Sequence, residues 1–218
     1  MHKFIAMVGT NSDESTNRKL LQYMQSHYAD QAEIELMEIK GLPIFNKPEN
    51  HEIPAQAQAM ADKPENHEIP AQAQAMADKI EQADGVIIST PEYDHSAPAA
   101  LLNALEWLSF HIQPFVDKPV MIIGASYGAL GTSRAQAHLR QVLDSPELRA
   151  RIMPSSEFML GHSLQAFDDQ GNLTDQQKAT KLDGLFKDFQ VFVEITKKLK
   201  NANATTYEEV REMDWEKL

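Results

Sequence analysis

Short apolar runs alternate along the chain with longer stretches in which apolar residues return every three or four positions. Residues 4–8 (FIAMV), 33–39 (EIELMEI), 86–88 (VII), 119–125 (PVMIIGA) and 156–160 (SEFML) read as strands. The second carries its apolar residues at Ile34, Leu36, Met37 and Ile39. Between them lie helical patterns. Leu20, Leu21, Met24, His27 and Tyr28 share one face of the first, and Leu101, Ala104, Leu105 and Leu108 share one face of another. Ala135, Leu139, Val142 and Leu143 mark a third, and Leu182, Leu185, Phe186, Phe189 and Val193 form the inward stripe of the last long helix. Ser96 is the expected cap of the helix carrying Leu101, with Pro98 in its first turn. Thr174 and Gln177 have the spacing of a capping box for the last helix. Five strands alternating with helices predict a parallel, doubly wound α/β sheet with helices on both faces.

One segment interrupts this pattern. Residues 47–62, KPENHEIPAQAQAMAD, recur without a change as residues 63–78. Two copies are too few for a solenoid, so the repeat reads as a tandem duplication inserted after the second strand of a domain spanning 1–200. Pro48 and Pro64 forbid one continuous helix, and each copy predicts an irregular arm with a short helix starting near Pro54 or Pro70. The second copy runs on into KIEQAD at 79–84, which leaves the first as the surplus one. Placed after a strand, it would project from the ligand-binding rim and reshape the substrate entrance or a dimer contact, or form a plain surface bulge. A polar linker at 201–206 precedes a tail at 207–218. If helical, that tail puts Tyr207, Val210 and Leu218 on one side, to fold back on its own subunit or clamp a partner.

The formal charge is −12 over 218 residues, which argues against nucleic acid and anionic membranes as general partners. It also requires any phosphate-bearing ligand to be held by local dipoles against an unfavourable global field. With no Cys there are no disulfides, thiolate metal sites or Cys nucleophiles. No apolar run reaches membrane-spanning length and no signal-peptide pattern opens the chain, so the expectation is a cytoplasmic protein. The eight His show no HxH or HExxH spacing, so no metal site is expected.

Candidate chemistry gathers in three loops that each follow a strand. The first, residues 9–17 (GTNSDESTN), is rich in hydroxyls and precedes a helix, the arrangement in which main-chain N–H groups cradle phosphate. Taken alone, Ser15, Thr16 or Asn17 equally reads as a simple helix cap. The second, 89–96 (STPEYDHS), packs an aromatic ring, hydroxyls, carboxylates and a stiff Pro into one turn. The third, 126–131 (SYGALG), is small enough for close approach of backbone to a flat ligand. In an open α/β sheet such loops meet at the switch point between the first and third strands.

These stretches carry a resemblance. PEYDHSAPAALLNALEW resembles the PEYNxSxPGxLKNAIDW signature of the NAD(P)H-dependent FMN reductase and quinone (azo) reductase family, with Asp94 for Asn, Ala99 for Gly and Leu102 for Lys. The first loop is similar to the family's GSxRxxSxNR, with Ser12 in place of Arg, and LPIFN at 42–46 is similar to its LPxFN/Y segment. The stretch from Gly124 is similar to SxGxxGGxRAQxHLRQVL, with Ala129 and Leu130 departing. The resemblance covers about residues 3–199. It implies a flavodoxin-like sheet of order 2-1-3-4-5 holding FMN without a covalent bond. On this pattern Thr10, Ser12, Ser15, Thr16 and Asn17 take the phosphate, and Pro91, Glu92, Tyr93 and Asp94 the ring and its edge. Ser126, Tyr127 and Gly128 take the other side, while Phe45 and His95 face substrate. Flavin N5 carries the chemistry, so no side chain is assigned a catalytic role. Hydride passes from NADPH or NADH to a quinone, azo or nitro compound, or flavin. The family's assembly implies a homodimer or homotetramer, with the helix face bearing Trp107 near the boundary. A flavodoxin-like electron carrier or redox-sensing module that docks on a partner is the alternative.

Overall fold

A computed structural model describes residues 1–46, 69–155 and 157–202. The surplus repeat copy, the arm opening the second copy and the tail at 207–218 lie outside the described residues. In chain order the elements are β1 His2–Val8, α1 Thr16–His27, β2 Ala32–Glu38, α2 Ala71–Gln82, β3 Gly85–Ser89 and α3 Ala99–Ser109. There follow β4 Pro119–Ala125, α4 Ser133–Leu143, β5 Arg151–Ile152, β6 Phe158–Leu160, a 3-10 turn at Ser163–Gln165 and α5 Gln176–Ala202.

All strand pairings are parallel, in the order β2-β1-β3-β4-β5, with β6 also on β4. This is the flavodoxin-like order that the pattern and the resemblance imply. The central strands are apolar on both faces because both faces are covered. Phe4, Ala6 and Val8 look toward α1 and α5, where Leu20, Met24, Leu182, Phe186 and Phe189 complete one core. Ile5 and Met7 look the other way, onto Met76, Ile80, Leu101, Leu105 and Leu139 of α2, α3 and α4. No helix among the described residues is long and apolar enough to cross a membrane.

Several local expectations are corrected. The fifth strand position is shared by two short strands, β5 beside Pro119 and Val120 and β6 beside Ile123 to Ala125. Between them Pro154 lacks an N–H for the ladder and Ser155 turns into the left-handed region at φ 54°, so one continuous strand is impossible. Ser96 does not cap α3. That helix begins after Pro98, without a side-chain cap, and Ser96 is drawn away to His138. Thr174 is not the cap of α5. Asp175 Oδ1 accepts the N–H groups of Gln177 and Lys178 at 2.8 and 3.2 Å, while the Thr174 hydroxyl donates back to Ala166 O. His27 lies on the exposed edge of α1, and Tyr23 takes the buried place. The indole of Trp107 is covered by its own chain: Nε1 donates to Pro43 O at 2.8 Å and Phe45 packs edge-on against it.

Candidate active site

The loops leaving β1, β3 and β4 converge on one cleft of about 350 Å³ at the carboxyl end of the sheet. It sits where the strand order reverses between β1 and β3, as open α/β sheets place their ligands. The first loop and the start of α1 contribute Ser12, Glu14, Ser15, Thr16 and Asn17. Pro91, Glu92 and Tyr93 come from the second loop, and Ala125, Ser126, Tyr127 and Gly128 from the third. Close strand packing makes the convergence possible. At Gly9 a Cβ would stand 2.6 Å from Ser89 O, so only glycine lets the first loop leave the sheet against β3.

On the first loop, Ser15 Oγ accepts the N–H of Arg18 at 3.3 Å and caps α1. The first-turn amides have no intrahelical acceptors, and the helix dipole there favours an anion. The Arg18 guanidinium is turned away from this duty. It forks onto Glu38 at 2.6 and 2.8 Å and donates to the carbonyls of Ser12 and Asp13 at 2.9 and 2.8 Å, bracing the loop from behind. Among the described residues the cleft lining therefore contains no Lys or Arg. Thr10 is buried, does not line the cleft, and shapes the loop by accepting the Ser12 N–H at 3.2 Å. Thr16 Oγ1 meets Ser163 Oγ at 2.8 Å.

Asn17 is the buried knot of the site. Its Nδ2 donates to Ala125 O at 2.8 Å, and its Oδ1 accepts from Ala125 N–H and Ser89 Oγ, both at 2.9 Å. One amide thus fixes the start of α1 to the ends of β3 and β4.

The second loop closes as a two-residue hairpin. Tyr93 and Ser96 exchange N–H···O bonds of 3.1 and 2.9 Å, and Asp94 and His95 between them have φ of 48° and 65°. Two consecutive left-handed residues define a type I′ turn, which favours Asn or Asp. Position 94 therefore has a backbone reason for its short polar side chain. Asp94 and His95 are exposed at the tip and do not line the cleft. Ser96 Oγ lies 2.7 Å from His138 Nδ1 and ties the hairpin to α4. Glu92 reaches the same helix: Oε2 accepts the N–H groups of Arg134 and Ala135 at 3.0 and 3.3 Å, and Oε1 the Arg134 Nε at 2.6 Å. Burial resists ionisation of this carboxyl, but the guanidinium and the two amides prevail and hold it below the ordinary carboxylate range.

In the third loop Ser126 Oγ accepts the Gly131 N–H and donates to Gly128 O, both at 3.0 Å. The Ser126 and Gly128 carbonyls accept from Ser163 and His162 at 3.0 Å each, so the segment after β6 buttresses the loop. Tyr93 and Tyr127 keep more than half of their surface in solvent beside the cleft. Phe45 stands apart from the lining, pinned by its N–H to Asn103 Oδ1 at 2.6 Å and by ring contacts with Trp107 and Phe110. Sequence reasoning missed Glu14 and Ala125 in the lining and the supports Ser163, Arg134 and His138. Glu14 lies inside the first loop singled out and Ala125 adjoins the third, whereas Ser163 meets Thr16 across 147 positions and has no local signal. Among the described residues no three His, Asp or Glu gather as metal ligands.

The model of the NADPH-dependent FMN reductase family matches residues 2–165, which include all three loops. The chain belongs to this family. An FMN reductase of this kind is an oxidoreductase that works with FMN and a nicotinamide cofactor. The chain is 52% identical over 196 residues to the NADH:(hydroxy)cinnamate reductase subunit CrdA of Vibrio ruber, covering 90% of this chain and 89% of that protein. It is 42% identical to NADH-dependent flavin reductase subunit 2 of Lactobacillus johnsonii, over 90% of this chain and the whole of that one. A quinone reductase of Escherichia coli is also 42% identical, over 74% and 79% of the two chains. Among solved structures, the NAD(P)H:(acceptor) oxidoreductase FerB of Paracoccus denitrificans superposes with a TM-score of 0.68 at 27% identity, covering 91% of this chain and 98% of FerB.

Proposed function

We propose that the cleft holds FMN and that the enzyme carries hydride equivalents from NADH or NADPH to a quinone, an azo or nitro compound, or a flavin. The supporting observation is the convergence of three loops, from β1, β3 and β4, around the amino end of α1. The residues present suit the group. First-turn amides other than the Arg18 N–H that Ser15 caps, with the hydroxyls of Ser12, Ser15 and Thr16, offer neutral donors to a phosphate, and Thr10 and Asn17 hold the loop in place. Pro91, Glu92 and Tyr93 on one side, with Ser126, Tyr127 and Gly128 on the other, bound a slot for a planar ring system, and Asp94 sets the turn beside it. A Cβ on Gly128 would meet nothing within 4 Å, so its backbone is open to a ligand.

Bound FMN supplies the two-electron chemistry that no side chain here provides. The chain's own work is positional. Glu92 and Ser96 fix the second loop to α4, Ser126 and Ser163 fix the third, and the two tyrosines shield the flat faces from bulk water. On this reading Phe45 and His95, which lie outside the lining, meet an acceptor at the rim.

In the working form we place a homodimer or homotetramer in the cytoplasm, where nicotinamide donors are made. Val191, Ile195 and Leu199 form an exposed apolar stripe on α5 that suits a subunit contact. The names of two relatives as subunits favour a second arrangement, an electron carrier that docks on a partner protein and takes its electrons from that partner rather than from a nicotinamide. The deciding experiment is an absorbance spectrum of the purified protein, followed by anaerobic mixing with NADH or NADPH. Bleaching of a yellow protein without any partner supports the self-sufficient reductase, and bleaching only with an added reductase supports the carrier. A colourless protein that refuses added FMN overturns both.

A further inference from the structure

We infer that His138 is a positioning residue for the ring of the bound flavin: it does not line the cleft, yet by holding Ser96 it sets the wall of the slot that Tyr93 forms. The inference rests on the flavoprotein reading above and deepens it. Arg134 and His138 stand four positions apart on α4 and so share one helical face. That face grips the second loop at both ends. Arg134 takes Glu92 at the start of the loop, with Nε donating to Oε1 at 2.6 Å. His138 takes Ser96 at its close, with Nδ1 2.7 Å from Oγ.

Helix α4 is a firm reference for this grip. Ala135, Leu139 and Leu143 bury its inner face, and Gln136 Nε2 donates to Phe158 O at 3.0 Å, which ties the helix to β6. The third loop runs directly into it through Gly131 and Thr132, at left-handed φ of 59° and 73°. One helix therefore sets both walls of the slot, Tyr127 by continuity of the chain and Tyr93 through Glu92 and Ser96. The main chain of Ser96 is committed to the hairpin, where it exchanges N–H···O bonds with Tyr93. Its hydroxyl carries the hold on α4. Asp94 and His95 are exposed at the tip and Tyr93 keeps 52% of its surface in solvent, so packing does not fix this wall. Ala97 and Pro98 are buried just beyond, so the chain stays folded when the bond is lost while the wall loosens. A loop ordered before the ligand arrives spares the binding step that cost.

The test is the dissociation constant of FMN and the absorption spectrum of the bound flavin, measured on the whole chain and its variants. Ser96→Ala and His138→Leu should each weaken FMN by about three- to tenfold, the worth of one hydrogen bond, and alter the shape of the flavin band. Combined, they should lose no more than the larger single loss, since either change removes the same bond. His138→Asn, whose amide reaches the place of Nδ1, should bind FMN within about twofold of the unaltered protein and restore the spectrum. Single variants within about twofold of the unaltered protein, losses that add in the double variant, or an Asn variant as weak as the Leu one each overturn the inference. A double-mutant cycle in urea on the flavin-free protein reads the Ser96–His138 coupling separately. Coupling there with no uptake of FMN by any form of the chain means that the flavoprotein reading has failed and the positioning role with it. Normal uptake of FMN without coupling overturns the positioning role alone.

Discussion

Glu92 Oε2 accepts the main-chain N–H of Arg134 at 3.0 Å while Oε1 accepts its Nε at 2.6 Å, so one residue receives another by both backbone and side chain. The second loop is thereby made the cap of the helix that follows the third. Replacing Glu92 by Gln keeps the shape but loses the charge at the amino end of α4 and the pairing with Arg134. A cost of about 1–2 kcal/mol in urea unfolding at neutral pH is expected, together with weaker FMN binding. Because the folded carboxyl sits below its ordinary range, the stabilisation is present above that range and is lost as pH falls through the folded value. Wild type and Glu92→Gln should therefore converge in stability in acid. Equal stability at neutral pH would show that the contact contributes nothing.

Asn17 belongs to the same scaffold but works from inside. Its amide serves three partners on two strands and is 2% exposed. Asn17→Ala strands the carbonyl and N–H of Ala125 and the hydroxyl of Ser89, at a cost of about 2–4 kcal/mol. Asn17→Asp turns a donor into an acceptor facing Ala125 O and should be no better. Urea midpoints and FMN titration read both effects, and an Ala variant within about 0.5 kcal/mol of wild type would contradict the network.

Much of this scaffold was legible beforehand, and the reason is periodicity. Strands buried on both faces and helices with one apolar stripe announce themselves within ten residues, which is why β1, β3, β4 and their helices lie within a few positions of expectation. The three loops were marked by unusual residues packed into short turns. Less visible was which polar atoms were already engaged. Arg18, Glu92, Asn17 and Ser126 look like ligand groups in one dimension, yet they mainly hold loops to each other through partners up to 108 positions distant. At the last strand position the run at 156–160 marked β6, while β5 before Pro154 and Ser155 is only two residues, Arg151–Ile152, too short to leave a pattern. Ser96 looked like a cap because it precedes a helix, and the competing partner, His138, was 42 positions away.

Two glycines of the site separate steric need from ligand access. Gly9→Ala puts a methyl 2.6 Å from the carbonyl of Ser89 and 3.1 Å from the Thr90 Cα, both backbone atoms where β3 ends beside β1. The strands must part, so a loss of about 3 kcal/mol or recovery only as aggregate is expected. Gly128→Ala meets nothing and should leave the melting temperature within a few degrees. Its methyl would instead intrude on the slot, so FMN should bind more weakly. Circular dichroism and flavin titration on both variants check the contrast, which fails if Gly128→Ala unfolds or Gly9→Ala does not.

The duplicated segment yields the sharpest separation of fold from function. Helix α2 (Ala71–Gln82) is drawn from the second copy and its continuation, with Ala73, Met76, Ala77 and Ile80 buried and Gln72 Nε2 donating to Lys40 O at 2.8 Å. Removing residues 47–62 leaves Asn46 followed by Lys63-Pro64, the same dipeptide that follows it now, so no junction is new. The connection between Asn46 and Pro70 falls from 23 residues to 7, since 23 less the 16 deleted is 7. Loop-closure entropy then favours the shorter chain by up to about 1 kcal/mol. The deletion variant should accordingly fold, bind FMN as before, and unfold at equal or slightly higher urea. A loss of more than about 1 kcal/mol would mean that the first copy contributes to the core. With stability thus fixed, any change in the relative rates on quinone and azo acceptors reports on the entrance alone, and identical rates would assign the surplus copy to a surface bulge.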